Sequence, residues 1–416
     1  MTKRFLMALA LLCASQITSA QDVLKIGLNY PASGRYEYLG LQQRMGAFLA
    51  VDEINEAGGV LGRPLELVIR NTRLDPGQGA ANVREMVDEE NVQMLFGGVS
   101  SAVAIAAGKA AKEKDRIYFG TLTYANATTG AAGHTHMFRE SYNAWMTASA
   151  MGQYLSEQFR DKDYFYIAAD YSWGRSVEKS MRRASGTEDT ERHPITRTPF
   201  PNATSRDFQA ALEQAEASDA DVLVLILGGG DMVRAVNIAH DMNLKDRMQI
   251  VWPNTSLGTA LQLGPSLMEG IIGAAPWFWN LPYEKDYERG IRFVEAFSRQ
   301  NGMRPSSAAA SAYSIVYQYR DAVERAGTTN TADVIKALEG HRYSLLKDEQ
   351  QWRTFDHQNV QSVYLVRMTS REEVLADEYN SGFYEILDTV PGEKAARTLE
   401  QWQEARREAG APLTLQ

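Results

Sequence analysis

The residues with the clearest chemical potential lie in the segment Gly97–Ser101, which follows an apolar run ending at Phe96. A helical pattern begins at Ser101, so the segment would supply unpaired backbone N–H groups and the positive end of a helix dipole. Together with the hydroxyls of Ser100 and Ser101, these groups could hold a carboxylate. Ser101 is also a competent helix N-cap, and the two serines could divide the two roles. The pattern therefore predicts an anion-binding loop, an ordinary capped helix start, or both.

Signatures of catalysis and of metal binding are weak. Ser176 and Lys179 match a Ser-x-x-Lys pattern, but its companion elements are absent and the spacing also fits one exposed helix face. His134 and His136 have no third ligand nearby, which is typical of a solvated loop. A hydrolase on an α/β scaffold is disfavoured, because no Gly-x-Ser-x-Gly elbow or ordered Ser, Asp, His set is present. We therefore expect no catalytic residue, no metal site and no enzyme activity.

The glycine run Gly228–Gly230 stands between a strand-like run and a helical one. A dinucleotide loop has the spacing Gly-x-Gly-x-x-Gly, and here Val233 occupies the position of the last glycine. The sequence therefore predicts no nucleotide cofactor. Close approach of this backbone to a smaller ligand remains open.

The composition bounds the class of protein. The chain has 416 residues, 44% of them hydrophobic and 23% charged, with a formal net charge of −9. These fractions are those of a folded globular protein with two or three domains. The acidic balance, without a Lys/Arg-rich run, gives no electrostatic footprint for nucleic acid. No window after the N-terminus reaches the roughly 18 apolar residues that a membrane-spanning helix needs.

The first twenty residues have the pattern of a secretory signal. Lys3 and Arg4 precede a short apolar run, and small residues end at Ala20, so we expect the mature chain to begin at Gln21. Its net charge would then be −11, and it would contain no cysteine, because Cys13 is the only one in the sequence. Disulfides are therefore not expected, and the bulky residue before Cys13 disfavours lipidation.

The rest of the chain alternates strand-like apolar runs with helical periodicity, which predicts an α/β fold with parallel sheets covered by helices on both faces. Two such units in tandem fit the length. The predicted strands are Leu24–Leu28, Leu65–Ile69, Val92–Phe96, Ile117–Phe119, Phe165–Ala169, Val222–Leu227, Gln249–Trp252 and Ser362–Arg367. The predicted helices are Leu41–Glu56, Gln78–Glu90, Ser101–Lys114, Ser172–Ala184, Ser205–Ala217, Met232–Met242, Tyr287–Gln300 and Ser306–Ala326.

Four motifs, in order, carry a family resemblance that covers nearly the whole mature chain. They are Pro31-Ala32-Ser33-Gly34 with Gly40, Asp52-Glu53-Ile54-Asn55 with Gly58-Gly59-Val60-Leu61-Gly62, the segment Gly97–Ser101, and Tyr171-Ser172-Trp173-Gly174. With these motifs the chain resembles the leucine/isoleucine/valine-binding family of periplasmic receptors for ABC importers. The resemblance implies two doubly wound α/β lobes, joined by three crossover strands, that close on a ligand between them.

The resemblance also implies that each lobe is built from separate segments. We expect one lobe from residues 23–140 plus 276–350, and the other from 141–275 plus 351–416. The crossover strands would lie at Arg139–Tyr142, Ala274–Trp277 and Gln351–Phe355.

The ligand residues of the family transfer only where its motifs align. Ser101 matches the serine that meets the ligand carboxylate, and Leu122, Thr123 and Tyr124 match the loop that offers backbone groups and a hydroxyl. Trp173 matches a pocket aromatic. In the first loop, either Tyr38 or Leu39 matches a second pocket residue of the family. The resemblance therefore implies a ligand that bears an acid group.

Two departures from the family pattern concern the ligand class. Asn254 stands where amino-acid binders place an acid for the α-ammonium, and Gly230 stands where a tyrosine is common. A buried ammonium without a carboxylate partner is costly, so we favour a ligand without a free α-ammonium. The alternative is that Asp170 or Asp231 reaches the same place. Several aromatic residues are expected near the cleft, although half or more of them would be core residues: Trp145, Trp173, Trp252, Trp277, Phe278 and Trp279.

These observations predict an exported, periplasmic solute receptor that captures a small carboxylate, either an amino acid or an aromatic or aliphatic acid. It would act as a monomer and deliver its ligand to the permease of an ABC importer, with no cofactor and no nucleic-acid partner. The alternative is a ligand sensor of the same fold that docks onto a membrane receptor.

Overall fold

The computed structural model describes residues 22–416, so the predicted export signal and Cys13 lie outside the described residues. The strands are β1 Leu24–Tyr30, β2 Leu65–Asn71, β3 Met94–Gly97, β4 Ile117–Gly120, β5 Met137–Arg139, β6 Tyr164–Ala169, β7 Ile195–Thr198, β8 Val222–Ile226, β9 Gln249–Trp252, β10 Ile272–Ala275, β11 Arg342–Tyr343, β12 Gln350–Trp352, β13 Asn359–Val360, β14 Val363–Met368 and β15 Tyr384–Val390.

The helices alternate with these strands through most of the chain. They are α1 Glu37–Glu56, α2 Pro76–Glu90, α3 Ser101–Glu113, α4 Ala144–Gln158, α5 Ser172–Ser185, α6 Ser205–Ala217, α7 Gly230–Asp241, α8 Leu257–Leu263, α9 Pro265–Met268, α10 Leu281–Glu284, α11 Glu288–Asn301, α12 Ser307–Ala326, α13 Thr331–Leu338, α14 Arg371–Ala376, α15 Gly392–Ala395 and α16 Leu399–Glu408.

The first sheet contains β1 to β5 in the order β2-β1-β3-β4-β5, and each neighbouring pair is parallel. Its central strand β3 is apolar on both faces: Met94 and Phe96 are buried on one face and Leu95 is buried on the other. Continuous apolar strands of this kind occur where helices cover both faces of a sheet. Because all five strands run in the same direction, their carboxyl ends meet at one edge.

The second sheet has the order β15-β14-β10-β9-β8-β6-β7. The five strands from β6 to β10 are parallel to one another, whereas β14 runs antiparallel to both β10 and β15. The predicted fold class, an α/β protein with two parallel-rich sheets, is confirmed.

Helix α12 belongs to the layer that covers the first sheet, although it comes 250 residues after α1 in the chain. The two helices pack so closely that a β-carbon at Gly46 would lie 2.2 Å from the carbonyl oxygen of Ala309. Only glycine permits this approach, so α1 and α12 form one tightly packed pair.

Three segments connect the first sheet to the second. One joins β5 to α4, one follows β10, and the third joins β13 to β14. The third crossing predicted at Gln351–Phe355 is wrong. Strand β12 instead pairs with β11 and β13 in a small antiparallel sheet, and Trp352 packs edge-on against Phe119 and Phe138 of the first sheet. The chain crosses at Gln361 and Ser362, between β13 and β14.

Lys347 ties two of these crossings together. Its Nζ donates to the carbonyl oxygens of Pro276 (2.7 Å), which follows β10, and Ser362 (3.0 Å). The side chain is buried, and burial lowers the pKa of Lys347 to about 8. The acidic neighbours Asp348 and Glu140 oppose this shift.

Replacing Lys347 by methionine should change how stability depends on pH. Between about pH 8 and the ordinary value of 10.5, the unfolded chain binds a proton that the folded chain has released, so this group makes stability rise with pH. The variant loses that contribution. Its free energy of unfolding, measured with urea at several pH values, should therefore rise less across this window than that of the unmodified protein. It should also be lower throughout, because two buried carbonyls lose their donor.

The matched control is Lys162→Met, since Lys162 pairs with Asp221 at an exposed site. Curves of Lys347→Met and the unmodified protein that stay parallel between pH 8 and 10.5 would show that Lys347 does not titrate there.

Candidate ligand-binding site

A cavity lies between the carboxyl ends of the two sheets. Residues after β3 and β4 face residues that follow β6, β8 and β9, so loops of both sheets form its walls. It has about 510 Å³ of unoccupied space, part of it open to solvent. Its lining residues are Tyr36, Leu39, Val99, Leu122, Tyr124, Tyr171, Trp173, Gly228, Gly229, Trp252, Asn254, Thr255, Ser256 and Ser307.

The lining is aromatic and neutral. Among the described residues that line the cavity, none carries a charge, and five are tyrosine or tryptophan. Burial raises the pKa of Tyr36 to about 12 and holds that of Tyr171 well above its usual range. Both hydroxyls are therefore protonated at neutral pH and can offer uncharged hydrogen bonds.

An aromatic cluster joins the two sides of this cavity. The Tyr36 and Tyr171 hydroxyl oxygens lie 3.5 Å apart, and Phe200 stacks on the Tyr171 ring with centroids 3.9 Å apart. Tyr36 follows β1 and Tyr171 follows β6, so the cluster links the first sheet to the second. At Gly229 (φ 54°) a β-carbon would lie 2.3 Å from the carbonyl oxygen of Arg35, so glycine permits the close approach of the two sides here.

Asn254 is fully occupied by protein partners. Its Oδ1 accepts from Trp173 Nε1 (3.1 Å), and its Nδ2 donates to Tyr142 Oη (3.2 Å) and Thr147 Oγ1 (3.3 Å). The amide therefore holds the Trp173 indole in place at the wall of the cavity. An aspartate at this position would lose both donated bonds, so the neutral side chain fits its surroundings.

Neither of the alternative acids is available in the cavity. Asp170 forms an ion pair with Arg175 (2.9 Å). Asp231 is 2% exposed and pairs with Arg35 (2.5 Å) and Arg234 (3.0 Å). Burial raises the pKa of Asp231, against the lowering influence of both guanidiniums. The pair Arg35 and Asp231 connects the loop after β1 to α7, at the side of the cavity where Gly229 lies.

The structure brings four predicted residues to the cavity: Leu122, Tyr124, Trp173 and Asn254. Thr123, between two of them, is buried, and its hydroxyl has no hydrogen-bond partner among the described residues.

Ser100 and Ser101 lie behind the cavity lining, which Val99 reaches instead. Ser100 is the N-cap residue of α3, but its side chain forms no capping bond. The Ser101 hydroxyl accepts from the backbone N–H of Ala125 (3.0 Å), which connects α3 to the loop after β4. The hydrogen of the Ser101 hydroxyl is not used in this bond and can be donated to another group.

Two further predicted residues, Tyr38 and Gly230, also lie outside the lining. Tyr38 turns toward α8, where its ring packs against Gly258, and it receives a bond from Gln42 Nε2 (3.3 Å). Tyr38 lies within the first turn of α1, where neighbouring residues point in different directions. Tyr36 and Leu39 line the cavity instead. Gly230 begins α7, and the two glycines before it form the wall.

The sequence reasoning missed several lining residues. Tyr36 and Tyr171 each adjoin a recognised motif, so proximity to those motifs was the available signal. Ser307 opens α12, far along the chain, and no local pattern indicates that it returns to the cleft. Of the predicted aromatics, Trp173 and Trp252 line the cavity, whereas Trp145 lies at a different cavity.

Within residues 22–416, the features of two other kinds of site are absent. No helix in this part of the chain is long and apolar enough to cross a membrane. No group of three or more His, Cys, Asp or Glu side chains converges there in a way that could hold a metal ion.

Two α/β sheets that face each other across an aromatic cavity, connected by three crossings, define a ligand-binding protein of the two-lobed kind. The chain belongs to the periplasmic binding protein family, which it matches over residues 23–373. The resemblance to leucine/isoleucine/valine-binding receptors is thereby confirmed. The protein binds a substrate and is not an enzyme.

Individual relatives agree with this assignment. The chain is 25% identical to the leucine-, isoleucine-, valine-, threonine- and alanine-binding protein of Pseudomonas aeruginosa, over 82% of this chain and 88% of that protein. It is 22% identical to Leu/Ile/Val-binding protein homolog 4 of Brucella melitensis, over 90% of this chain and 91% of that protein. A periplasmic binding protein from Burkholderia mallei has the same fold, with a TM-score of 0.82 and 25% identity over 91% of this chain and 98% of that one.

Proposed function

We propose that this protein is a periplasmic receptor for a small acid with an aromatic or extended apolar body and no free α-ammonium. The observation that carries the proposal is the uncharged, largely aromatic lining of the cavity between the two sheets. The receptor acts as a monomer and delivers its ligand to the permease of an ABC importer.

The absence of a carboxylate from the described lining disfavours an amino acid. A buried ammonium needs a charged partner to offset the cost of leaving water. Asn254 is neutral and has three protein partners, and Asp231 is held by Arg35 and Arg234. An acid without an ammonium avoids this cost.

Uncharged donors suit the acid group of such a ligand. The N-terminus of α3 and the loop after β4 provide backbone N–H groups near Val99 and Leu122, and Ser101, the first residue of α3, has a hydroxyl hydrogen that it can donate. Helix N-termini hold carboxylates without a counter-charge that must itself be desolvated. The rings of Trp173 and Trp252 would then contact the body of the ligand.

Both ligand classes occur on this fold. A solute-binding protein from Rhodopseudomonas palustris BisB5, 16% identical over 89% of this chain with a TM-score of 0.76, was solved with 3,4-dihydroxybenzoic acid. A branched-chain amino acid binding protein from Streptococcus pneumoniae, 21% identical over 89% with a TM-score of 0.75, was solved with isoleucine. At these identities the likeness concerns the fold, so the choice between the classes depends on the cavity of this chain.

Calorimetric titration of the purified protein tests the ligand class. We expect binding of benzoate-type or aliphatic acids, and none of leucine, isoleucine or valine. Ligand identification by mass spectrometry of protein purified without refolding would name the acid. Micromolar binding of leucine, with no response to any acid that lacks an amino group, would overturn the proposal.

Replacing Ser101 by alanine should weaken binding of the identified acid by about ten- to a hundredfold, the range for a lost hydrogen bond to a charged group. The variant should also be less stable, because the Ala125 N–H loses its acceptor. Affinity is therefore measured by calorimetry well below the melting temperature of the variant.

Ser298→Ala is the matched control, because Ser298 is a buried serine of α11 whose hydroxyl has no partner among the described residues. It should keep full affinity. Unchanged affinity in Ser101→Ala would remove Ser101 from the site and leave the ligand-class proposal to the titrations.

A further inference from the structure

A second cavity lies outside the cleft and shares no lining residue with it. It is formed by the loop after β4, the start of α4, one face of α5 and the C-terminal segment that includes α16. It has about 960 Å³ of unoccupied space, part of it open to solvent. The residues that line it are Asn126, Ala127, Ala131, Trp145, Ser176, Lys179, Ser180, Arg183, Glu188, Arg397, Ala405, Glu408 and Ala409.

Two arginines converge on one tryptophan in this cavity. The guanidinium carbons of Arg183 and Arg397 lie 3.3 Å and 4.5 Å from the centroid of the Trp145 ring. Stacking on the indole restricts both side chains and keeps their N–H groups available. Arg183 comes from α5 and Arg397 from the segment before α16, so the folded chain brings them together from distant positions.

Neither guanidinium has an anionic partner within the described part of the chain. No ion pair or hydrogen bond from either side chain occurs among residues 22–416, and Arg397 Nε is buried without an acceptor. Most arginines of this protein do pair: Arg353 nearby, for example, binds Asp356. Two like charges held at one ring repel each other, and a bound anion would offset this repulsion.

The acidic residues of the cavity do not neutralise this pair. Glu408 lies 3.8 Å from Lys179, and Glu188 is exposed and makes no ion pair within 4 Å. Burial lowers the pKa of Arg397 to about 10, and the neighbouring charge of Arg183 acts in the same direction, whereas Asp356 and Glu408 raise it. The lining holds three basic side chains, Lys179, Arg183 and Arg397, against the two acids Glu188 and Glu408, so an excess of positive charge remains.

Two serine hydroxyls add uncharged hydrogen-bond donors to this cavity. The hydroxyls of Ser176 and Ser180 accept from the backbone N–H (3.1 Å) and the side-chain amide (3.0 Å) of Asn126, which leaves the hydrogens of both hydroxyls free to donate. Ser176, Ser180 and Arg183 lie on the same face of α5, at spacings of four and three residues.

We propose that this cavity is a second binding site, for a small oxyanion whose carboxylate or phosphate group binds the guanidiniums of Arg183 and Arg397. A guanidinium matches such groups with two parallel hydrogen bonds, which a monatomic anion cannot accept. The volume accommodates a phosphate ester or a polycarboxylate. An occupant would connect α5 to the C-terminal segment and so stabilise the packing of α16.

The test uses the mature chain and two probes, inorganic phosphate and citrate, added at constant ionic strength. We expect saturable binding by calorimetry and a raised melting temperature with at least one probe. The double variant Arg183→Gln, Arg397→Gln should bind at least about tenfold more weakly. Binding of phosphate alone indicates a phosphate-bearing ligand, and binding of citrate alone indicates a carboxylate.

Arg206→Gln is the matched control, because Arg206 is an exposed arginine of α6 and does not line this cavity. It should bind like the unmodified protein. A measurement that needs no variant is modification of arginines by phenylglyoxal: the probe should protect Arg183 and Arg397 and leave Arg206 reactive. Absence of binding by both probes, equal binding by the double variant, or no selective protection would overturn the proposal. The cleft ligand should bind the double variant normally, so failure of this site does not bear on the proposed function.

Discussion

Replacing Arg139 by methionine is expected to lower the free energy of unfolding by about 3 to 5 kcal/mol, because several buried acceptors lose their donor together. The Arg139 side chain is 1% exposed. Its Nε donates to Gln358 Oε1 (2.7 Å), and its terminal nitrogens donate to the carbonyl oxygens of Thr123 and Ala125 and to Thr129 Oγ1. Methionine fills part of the space and satisfies none of these oxygens. Urea denaturation followed by circular dichroism measures the loss.

The same variant should bind the cleft ligand less well, because Arg139 sets the backbone of the loop that contains Leu122 and Tyr124. Arg206→Met is the control, since Arg206 is exposed and should change the unfolding free energy by less than about 0.5 kcal/mol. If the free energy of unfolding of Arg139→Met lies within about 1 kcal/mol of that of the unmodified protein, the loop does not depend on this residue. Water would then satisfy the oxygens that the guanidinium binds.

Replacing Arg304 by methionine is expected to weaken ligand binding by about ten- to a hundredfold, through loss of the closed arrangement of the two sheets. Arg304 donates from Nε (3.0 Å) and from a terminal nitrogen (2.6 Å) to Asp377 Oδ1, and the two side chains are 15% and 5% exposed. The rings of Trp279 and Tyr379 lie 4.3 Å and 4.8 Å from its guanidinium carbon.

The position of this pair explains why affinity should respond. Arg304 precedes α12, which packs on α1, whereas Asp377 lies between β14 and β15 of the second sheet. The ion pair therefore forms only when the layer of α1 and α12 lies against the second sheet. The buried carboxylate of Asp377, left without its partner, favours the open form, and the apparent affinity falls with the fraction of closed protein.

Calorimetry measures the affinity, and small-angle X-ray scattering measures the radius of gyration with and without ligand. Arg247→Met is the matched control: Arg247 pairs with Glu216, and this pair joins the segment before β9 to α6, so both of its residues belong to the part of the chain that forms the second sheet. It should alter neither quantity. An Arg304→Met protein with unchanged affinity and an unchanged radius of gyration would show that this pair does not contribute to closure.

Local sequence patterns predicted the elements whose composition is typical of their conformation. The predicted helix Ser205–Ala217 and the predicted strand Gln249–Trp252 coincide with α6 and β9. Helix α4 was missed because it is buried on most of its surface, so it lacks an amphipathic pattern. Strand β10, with the sequence Ile-Gly-Ala-Ala, lacks the β-branched and aromatic residues that indicate a strand.

Motifs likewise predicted the part of the site that lies next to them. Leu122, Tyr124 and Trp173 reach the cavity because each follows the carboxyl end of a parallel strand, and such ends converge at one edge whatever the rest of the chain does. Of the two alternatives in the first loop, Leu39 lines the cavity and Tyr38 does not, because one residue along α1 turns a side chain by about 100°.

The sequence by itself determined the two parallel-rich sheets, the edge at which a ligand binds and the lack of a spare acid at Asn254, because these follow from local periodicity and from single residue types. Only the tertiary structure decided that Asn254 holds Trp173, that Asp231 is neutralised by Arg35, and that Arg183 and Arg397 meet at Trp145. Each of these contacts joins residues far apart in the chain. Such contacts depend on how the sheets and helices pack, and no spacing within a local window of sequence encodes that.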